Sequence, residues 1–89
     1  MKCIKHLFKT SPFIRRTQIF GLKSRLEKEG ALFHWEHELL FFIKIHNRIF
    51  RIEVNGLEVE YYLKEKGYPE EITCYESISK LEKYLTNQF

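Results

Sequence analysis

The sequence predicts an α+β fold in which an antiparallel β-meander is flanked by an N-terminal helical region and a C-terminal helix. Asn55-Gly56 stands between two segments of alternating apolar and polar residues, a pattern typical of a β-hairpin turn. The same alternation extends back through the preceding apolar segment. Near the C-terminus, apolar residues at helical spacing follow a capping sequence that begins at Thr73. The length of 89 residues predicts a single domain over residues 1–89.

The N-terminal region predicts a helix over residues 12–29. Ser11 is a favourable N-cap residue, Pro12 is tolerated in a first turn, and Gly30 suits the position after a helix C-terminus. Two apolar stripes lie on different sides of this helix, and Gly21 between its halves weakens it. Either both stripes are buried, or the helix bends near Gly21, or residues 13–20 form a strand. The first stripe is Ile19, Leu22 and Leu26, the second is Phe13, Thr17 and Phe20, and a shorter helix before Ser11 carries Ile4, Leu7 and Phe8.

The meander is predicted over residues 39–46, 49–54 and 57–63. A two-residue turn at Asn55-Gly56 places Val54 opposite Leu57, and a similar turn at Asn47-Arg48 aligns the preceding strand. This register makes one face of the sheet apolar throughout, whereas a slip by one residue would exchange the two faces. The predicted buried face consists of Phe41, Ile43, Ile45, Phe50, Ile52, Val54, Leu57, Val59 and Tyr61.

The C-terminal segment begins with a loop that contains the breakers Gly67 and Pro69. Thr73 and Glu76 have the spacing of a capping box, which predicts a helix over residues 74–86. The apolar stripe that would cover the sheet is Cys74, Ile78, Leu81 and Leu85.

The segment HWEHE, residues 34–38, contains two histidines and two glutamates and raises the question of a metal site. Zinc requires three or four converging ligands. On a strand, residues three apart such as His34 and His37 lie on opposite faces. We therefore predict no metal site here.

The apolar parity of the meander continues through Trp35. It predicts a strand over residues 32–37, either as a fourth strand or as an extension of the first, with His34 and Glu36 outward. His37 has inward parity, so we predict a bulge at Glu36–Glu38 that releases it.

The net charge of +3 is unevenly distributed along the chain. Residues 1–30 carry eight basic and two acidic side chains, whereas residues 31–89 carry seven basic and ten acidic ones. A basic N-terminal arm of this kind can track phosphates, so DNA or RNA binding is the first alternative function. The competing interpretation is ordinary solvated cations and helix pairs such as Arg25–Glu29. The nucleic-acid candidates are Arg15, Arg16, Lys23 and Arg25.

The two cysteines, Cys3 and Cys74, are too few for a disulfide framework. We expect reduced thiols and a cytoplasmic location, and the sequence leaves open whether the two cysteines meet. The N-terminus lacks the apolar segment of a secretory signal, and the longest apolar run, residues 39–43, is too short to cross a membrane.

The sequence shows no pattern that indicates catalysis or a cofactor. It has neither a glycine-rich phosphate loop nor a nucleophile motif. A single sheet covered on one face also leaves little room for a catalytic cleft. We expect a non-enzymatic protein without a cofactor. The second alternative function is a small ribonuclease toxin that uses His34, His46 or Arg51.

The second face of the sheet is the leading candidate site, because it is too apolar for a freely solvated surface. Aromatic residues with interspersed arginine are typical of protein interfaces. We therefore expect a small accessory or inhibitory factor that acts by protein–protein contact. A composition rich in Lys, Ile, Phe and Glu favours a phage or mobile-element origin. Homodimerisation through this face or through an edge strand stays open. The protein-binding candidates are Trp35, Leu40, Phe42, Ile49, Arg51 and Tyr62.

Overall fold

The computed structural model describes residues 12–56, 60–68 and 71–89. These ranges form an α+β fold, as predicted, with an antiparallel sheet of five strands where the sequence predicts three or four. The strands lie side by side in chain order, and both helices pack on the same face of the sheet. The elements are α1 (Pro12–Lys28), β1 (Leu32–His37), β2 (Leu40–Ile45), β3 (Arg48–Asn55), β4 (Glu60–Glu65), β5 (Ile72–Tyr75) and α2 (Ile78–Thr86).

Helix α1 confirms the predicted helix, and the alternative of a strand over residues 13–20 is wrong. The first of its two predicted stripes is buried, because it faces the sheet and α2. In the second stripe, Thr17 and Phe20 are exposed. The side chain of Phe13 and the predicted shorter helix before Ser11 lie outside the described residues. The buried stripe is Ile19, Leu22 and Leu26.

The C-terminus of α1 uses Gly30 as the sequence suggests. Gly30 adopts a φ of +106°, a conformation that costs glycine little. The amide of Ala31 then donates a hydrogen bond back to the carbonyl of Leu26 at 3.0 Å. This closure satisfies a free carbonyl of the last turn and directs the chain into β1.

The hairpin between β2 and β3 turns at His46-Asn47 rather than at the predicted Asn47-Arg48. Arg48 is the first residue of β3 and lies opposite Ile45, where Phe50 was predicted. In this position the Arg48 guanidinium donates two hydrogen bonds to the Glu65 carboxylate, at 2.8 and 2.7 Å. This ion pair favours the register in which Arg48 belongs to β3. The turn pattern in the sequence gives no sign of the pair, because Glu65 is distant in the chain.

The hairpin between β3 and β4 is longer than predicted. Val54 pairs with Tyr61, so the predicted pair with Leu57 and the two-residue turn at Asn55-Gly56 are wrong. Leu57 and Val59 lie outside the described residues. Both registers differ from the prediction by an even number of residues, so each side chain keeps its predicted face. The other predicted core residues are all buried: Phe41, Ile43, Ile45, Phe50, Ile52, Val54 and Tyr61.

The C-terminal segment contains a fifth strand where the sequence predicts the first turn of a helix. Strand β5 pairs with β4, and α2 begins only at Ile78. The predicted capping box at Thr73 is therefore wrong, and Ser77 caps the helix by accepting a hydrogen bond from a first-turn amide at 3.2 Å. The composition of β5, ITCY, explains the difference, because β-branched and aromatic residues favour a strand when an open edge is available.

Two arginines, Arg25 and Arg48, link neighbouring elements around the core through carboxylates. Arg25 of α1 donates to the Glu82 carboxylate of α2 at 2.6 and 2.7 Å. Arg48 joins Glu65 of β4 and also donates to the side-chain oxygen of Gln88 at 2.7 Å. The hydrogen bonds from Arg48, together with its charge, lower the pKa of Glu65.

This lowered pKa predicts a loss of stability in acid. The contribution of Glu65 is complete above the glutamate pKa of the unfolded chain, about 4.3, and disappears as the pH falls through the lower folded pKa. Because the Arg48 side chain is 41% exposed, solvent screening limits this contribution to about 1 kcal/mol or less. Urea unfolding of wild type and of Arg48→Met at about pH 7 and about pH 3 measures it. Their stability difference should shrink in acid, and a difference that does not change with pH would contradict the prediction.

Cys74 on β5 is disulfide-bonded, so the expectation of a reduced thiol is wrong at this position. Its strand position lies opposite Tyr62. The other cysteine of the chain, Cys3, lies outside the described residues. In the described ranges, neither helix has the length and apolar character needed to cross a membrane.

Candidate binding surface

The sheet face opposite the helices carries a mixture of apolar and charged side chains, and we term it the open face. Side chains alternate between the two faces along each strand, so the strand pairings assign its members. At both edges of the sheet it presents apolar side chains to solvent, with Leu32 65% and Ile72 44% exposed. By strand pairing the open face includes Leu32, His34, Leu40, Phe42, Lys44, Ile49, Arg51, Glu53, Tyr62, Lys64, Ile72 and Cys74.

One row of cross-strand neighbours spans the whole open face. His34 of β1 pairs with Phe42, Phe42 with Arg51, Arg51 with Lys64, and Lys64 with Ile72 of β5. Side chains that pair across neighbouring strands contact one another directly. The row therefore places an aromatic ring and two cations at the centre of the sheet, on regular and rigid elements.

The described residues line two hollows on the open face, one on either side of Phe42 and Ile49. The larger has a volume of about 440 Å³ and is also bounded by Arg51 and by residues 64–67. The smaller has a volume of about 220 Å³ and extends towards β1. Phe42 and Ile49 line both hollows and form the ridge between them. The residues that complete the smaller hollow are Leu32, Phe33, His34 and Lys44.

The charged residues that line the two hollows are predominantly basic. Their lining contains four cations, and its one carboxylate, Glu65, is held by Arg48 outside the hollow. In the part of the chain that the structure describes, Lys44 and Lys64 make no ion pair, and neither does Lys66. The fourth cation, Arg51, contacts Glu53 at 3.2 Å, but both groups are exposed, so this pair is weak.

Two further carboxylates, Glu53 and Glu60, lie towards the other end of the sheet, near the hairpin between β3 and β4. Glu53 is exposed on β3, and Glu60 is buried beside it, where it accepts a hydrogen bond from the Tyr62 hydroxyl at 2.8 Å. The open face is thus divided along the strands into a basic part with hollows and an acidic part.

Five of the six protein-binding candidates lie together on the open face: Leu40, Phe42, Ile49, Arg51 and Tyr62. The sixth, Trp35, lies on the opposite face and packs edge-to-face against Phe20 of α1, with ring centroids 4.8 Å apart. Trp35 keeps the inward parity of the core because the bulge in β1 begins only after it. Trp35 is therefore removed from the candidate site.

The HWEHE segment shows the predicted irregularity. The pairing of β1 with β2 shifts between Trp35 and His37, which confirms the bulge. His37 is exposed, and its Nδ1 accepts a hydrogen bond from the Leu39 amide at 3.1 Å. His34 Nε2 lies 3.0 Å from an oxygen of Glu36. Within the described ranges, no three potential ligands are grouped so that they could hold a metal ion.

The four nucleic-acid candidates on α1 do not form a free basic patch. Arg15 is only 5% exposed, and its guanidinium lies 3.4 Å from the Gly56 carbonyl oxygen. Arg15 and Arg16 also share the carboxylate of Glu38, at 3.7 and 3.0 Å. The other two candidates are paired as well, Lys23 with Glu27 and Arg25 with Glu82. A substitution of Arg15 would thus test folding rather than phosphate binding.

Sequence reasoning missed four residues of the site: Leu32, Lys64, Lys66 and Ile72. For Lys64 a signal was present, since it continues the outward parity of Tyr62 along β4. For Ile72 the signal was hidden by the helix predicted to follow it.

Comparison with protein-family models, with curated proteins and with solved structures finds no match to this chain. The geometry of the open face is therefore the basis for assigning a function.

Proposed function

We propose that this chain is a small, non-enzymatic binding protein that acts by protein–protein contact through the open face. The observation that carries the proposal is the position of Phe42, Ile49, Leu32 and Ile72 on the face opposite both helices. Removing apolar surface from water is the main favourable term in protein association. An aromatic residue beside an arginine, as in the pair Phe42–Arg51, is also a frequent combination at the centres of interfaces.

The arrangement of the candidate catalytic groups supports a binding role over a ribonuclease. His34 lines the smaller hollow and Arg51 the larger, with the Phe42 side chain between them. His46 lies in the turn between β2 and β3, and its ring faces Phe89 at a centroid distance of 6.5 Å. General acid and base groups must converge on one reacting atom. His34 and Arg51 lie on different strands, β1 and β3, and His46 lies in a turn, so the three groups belong to separate elements.

The role of an accessory or inhibitory factor of a phage or mobile element stays a prediction, and so does the cytoplasmic location. The disulfide of Cys74 weighs against a reducing compartment, because structural disulfides persist mainly in oxidising ones. Fractionation of the source cells followed by immunoblotting would determine the compartment in which a partner should be sought.

Site-specific photo-crosslinking tests the proposal. A photoreactive phenylalanine analogue at position 42 should form covalent adducts with a protein in the source cells, because this position lies between the two hollows. The matched control is the same analogue at position 20, since Phe20 is an exposed aromatic residue on α1. Mass spectrometry would identify the adducts.

We expect protein adducts at position 42 and few at position 20. Against the identified partner, Phe42→Ala should weaken binding at least about tenfold, which corresponds to about 1.4 kcal/mol. Equal adducts at both positions would contradict the proposal. Adducts that disappear after nuclease treatment would favour nucleic-acid binding instead.

A further inference from the structure

We infer that the open face binds an acidic segment of its partner whose apolar side chains enter the two hollows beside Phe42 and Ile49. This inference rests on the proposed function and adds the chemistry of the partner. It assigns the hollows to apolar side chains and the surrounding cations to carboxylates.

The shape of the site favours an elongated ligand over a compact one. The two hollows share the ridge of Phe42 and Ile49, and together they extend from β1 to the end of β4. A compact molecule would occupy only one of them. A polypeptide segment that crosses the ridge can place one side chain on each side of it, as bound peptides do with alternating pockets.

The charges around the site specify the sign of the ligand. Lys44 lines the smaller hollow, and Arg51, Lys64 and Lys66 line the larger one. The local carboxylate, Glu65, is engaged by Arg48 through two hydrogen bonds and cannot neutralise these lysines. Complementary charges steer association and suppress wrong partners. A segment with carboxylates beside its apolar residues satisfies both the cations and the hollows.

The apolar side chains distinguish a peptide from a single-stranded nucleic acid. Base recognition on a sheet uses flat aromatic rings on which successive bases stack. Among the described residues that line the larger hollow, the one aromatic ring is Phe42, and its apolar neighbour is the aliphatic side chain of Ile49. The smaller hollow adds the aliphatic Leu32 and the rings of Phe33 and His34. Aliphatic side chains pack against other apolar side chains and offer no stacking surface to a base.

Titration of the isotope-labelled protein with defined peptides, followed by NMR, tests the inference. The probe is a synthetic peptide in which leucine and glutamate alternate. Its two matched controls carry lysine in place of glutamate, or serine in place of leucine. An oligothymidylate serves as the nucleic-acid probe. Only the leucine–glutamate peptide should shift the resonances of Phe42, Ile49 and residues 64–67, and its affinity should fall as salt is added.

Lysine substitutions on the two sides of the sheet test whether the cations of the open face attract the acidic peptide. Lys64→Glu combined with Lys66→Glu should weaken the leucine–glutamate peptide at least about tenfold and allow the lysine peptide to bind. The matched control is Lys28→Glu combined with Lys83→Glu, because these exposed lysines lie on the helices. This control should leave the affinity unchanged.

Three outcomes would overturn the inference: equal affinity for the glutamate and lysine peptides, shifts confined to the helices, or tighter binding of oligothymidylate. Its failure is separable from failure of the proposed function. If protein adducts at position 42 persist while no acidic peptide binds, the open face contacts a protein of different chemistry. If the acidic peptide binds as expected but position 42 forms no adducts in cells, the proposed cellular role fails.

Discussion

Phe41→Ala should lower the free energy of unfolding by about 3–5 kcal/mol, whereas Phe42→Ala should lower it by about 1 kcal/mol or less. The two phenylalanines are neighbours on β2, and their side chains point to opposite faces of the sheet. Phe41 is fully buried and stacks on Phe33 at a centroid distance of 4.9 Å. Phe42 is half-buried on the open face.

The cost at Phe41 combines the lost burial of the ring with the cavity left behind. A domain of this size has a total stability on the order of 5–15 kcal/mol, so Phe41→Ala removes a large share of it. Urea unfolding monitored by circular dichroism measures both variants against wild type. If Phe41→Ala is unfolded in buffer, the milder Phe41→Leu gives the same comparison with Phe42→Leu as its control.

This pair of variants also tests the basis of the proposed function. If Phe42→Ala were as destabilising as Phe41→Ala, both rings would belong to a core and β2 would have no face available for a partner. A small loss at Phe42, together with a large one at Phe41, means that a loss of partner binding in Phe42→Ala reports on the surface and not on unfolding.

For the strands that it predicted, the sequence was sufficient to assign the face of each residue, but not the residue with which it pairs. Apolar parity repeats every two residues, so registers that differ by two or four residues satisfy it equally well. The choice among them depends on contacts between distant residues. Ile45 faces Arg48 rather than Phe50 in a register that brings Arg48 to Glu65, and these two residues are 17 apart in the chain.

Contacts between distant residues also explain why the nucleic-acid candidates on α1 are paired rather than free. Helix spacing suggested that Arg25 pairs with Glu29, but the guanidinium contacts Glu82, which is 57 residues away. Arg15 and Arg16 likewise share Glu38 of the turn after β1. A charge pattern along the chain cannot show that partners are supplied by other elements, so the arginines of α1 suggested a more basic helix surface than this helix offers.

The open face was predictable in part, because Phe42, Ile49, Arg51 and Tyr62 follow from parity alone. Its hollows were not, since the larger one is completed by the turn after β4, where residues 66 and 67 contribute. Strand β5 was not predicted because its four residues directly precede a helix. Its formation also depends on pairing with β4, which the local sequence does not show.

Cys74→Ser should lower the free energy of unfolding by about 2–4 kcal/mol under oxidising conditions. Cys74 is disulfide-bonded, and a disulfide stabilises a fold mainly by restricting the unfolded chain. The bond also lies at a sensitive position, because β5 is a short strand and, among the described strands, β4 is its one neighbour. Without the bond, the strand pairing and the packing of Tyr75 against Tyr84 must hold this edge.

Urea unfolding with and without a thiol reductant separates this effect from a packing defect. Reductant should destabilise wild type to the level of Cys74→Ser and leave the variant unchanged. Cys3→Ser is the matched variant, because Cys3 is the other cysteine of the chain and its removal should have the same effect on a bond within one molecule. A doubled mass on a non-reducing gel would indicate instead a bond between two chains. Two free thiols per chain in unreduced wild type, together with an unfolding free energy that reductant does not change, would refute the disulfide and its stabilising effect.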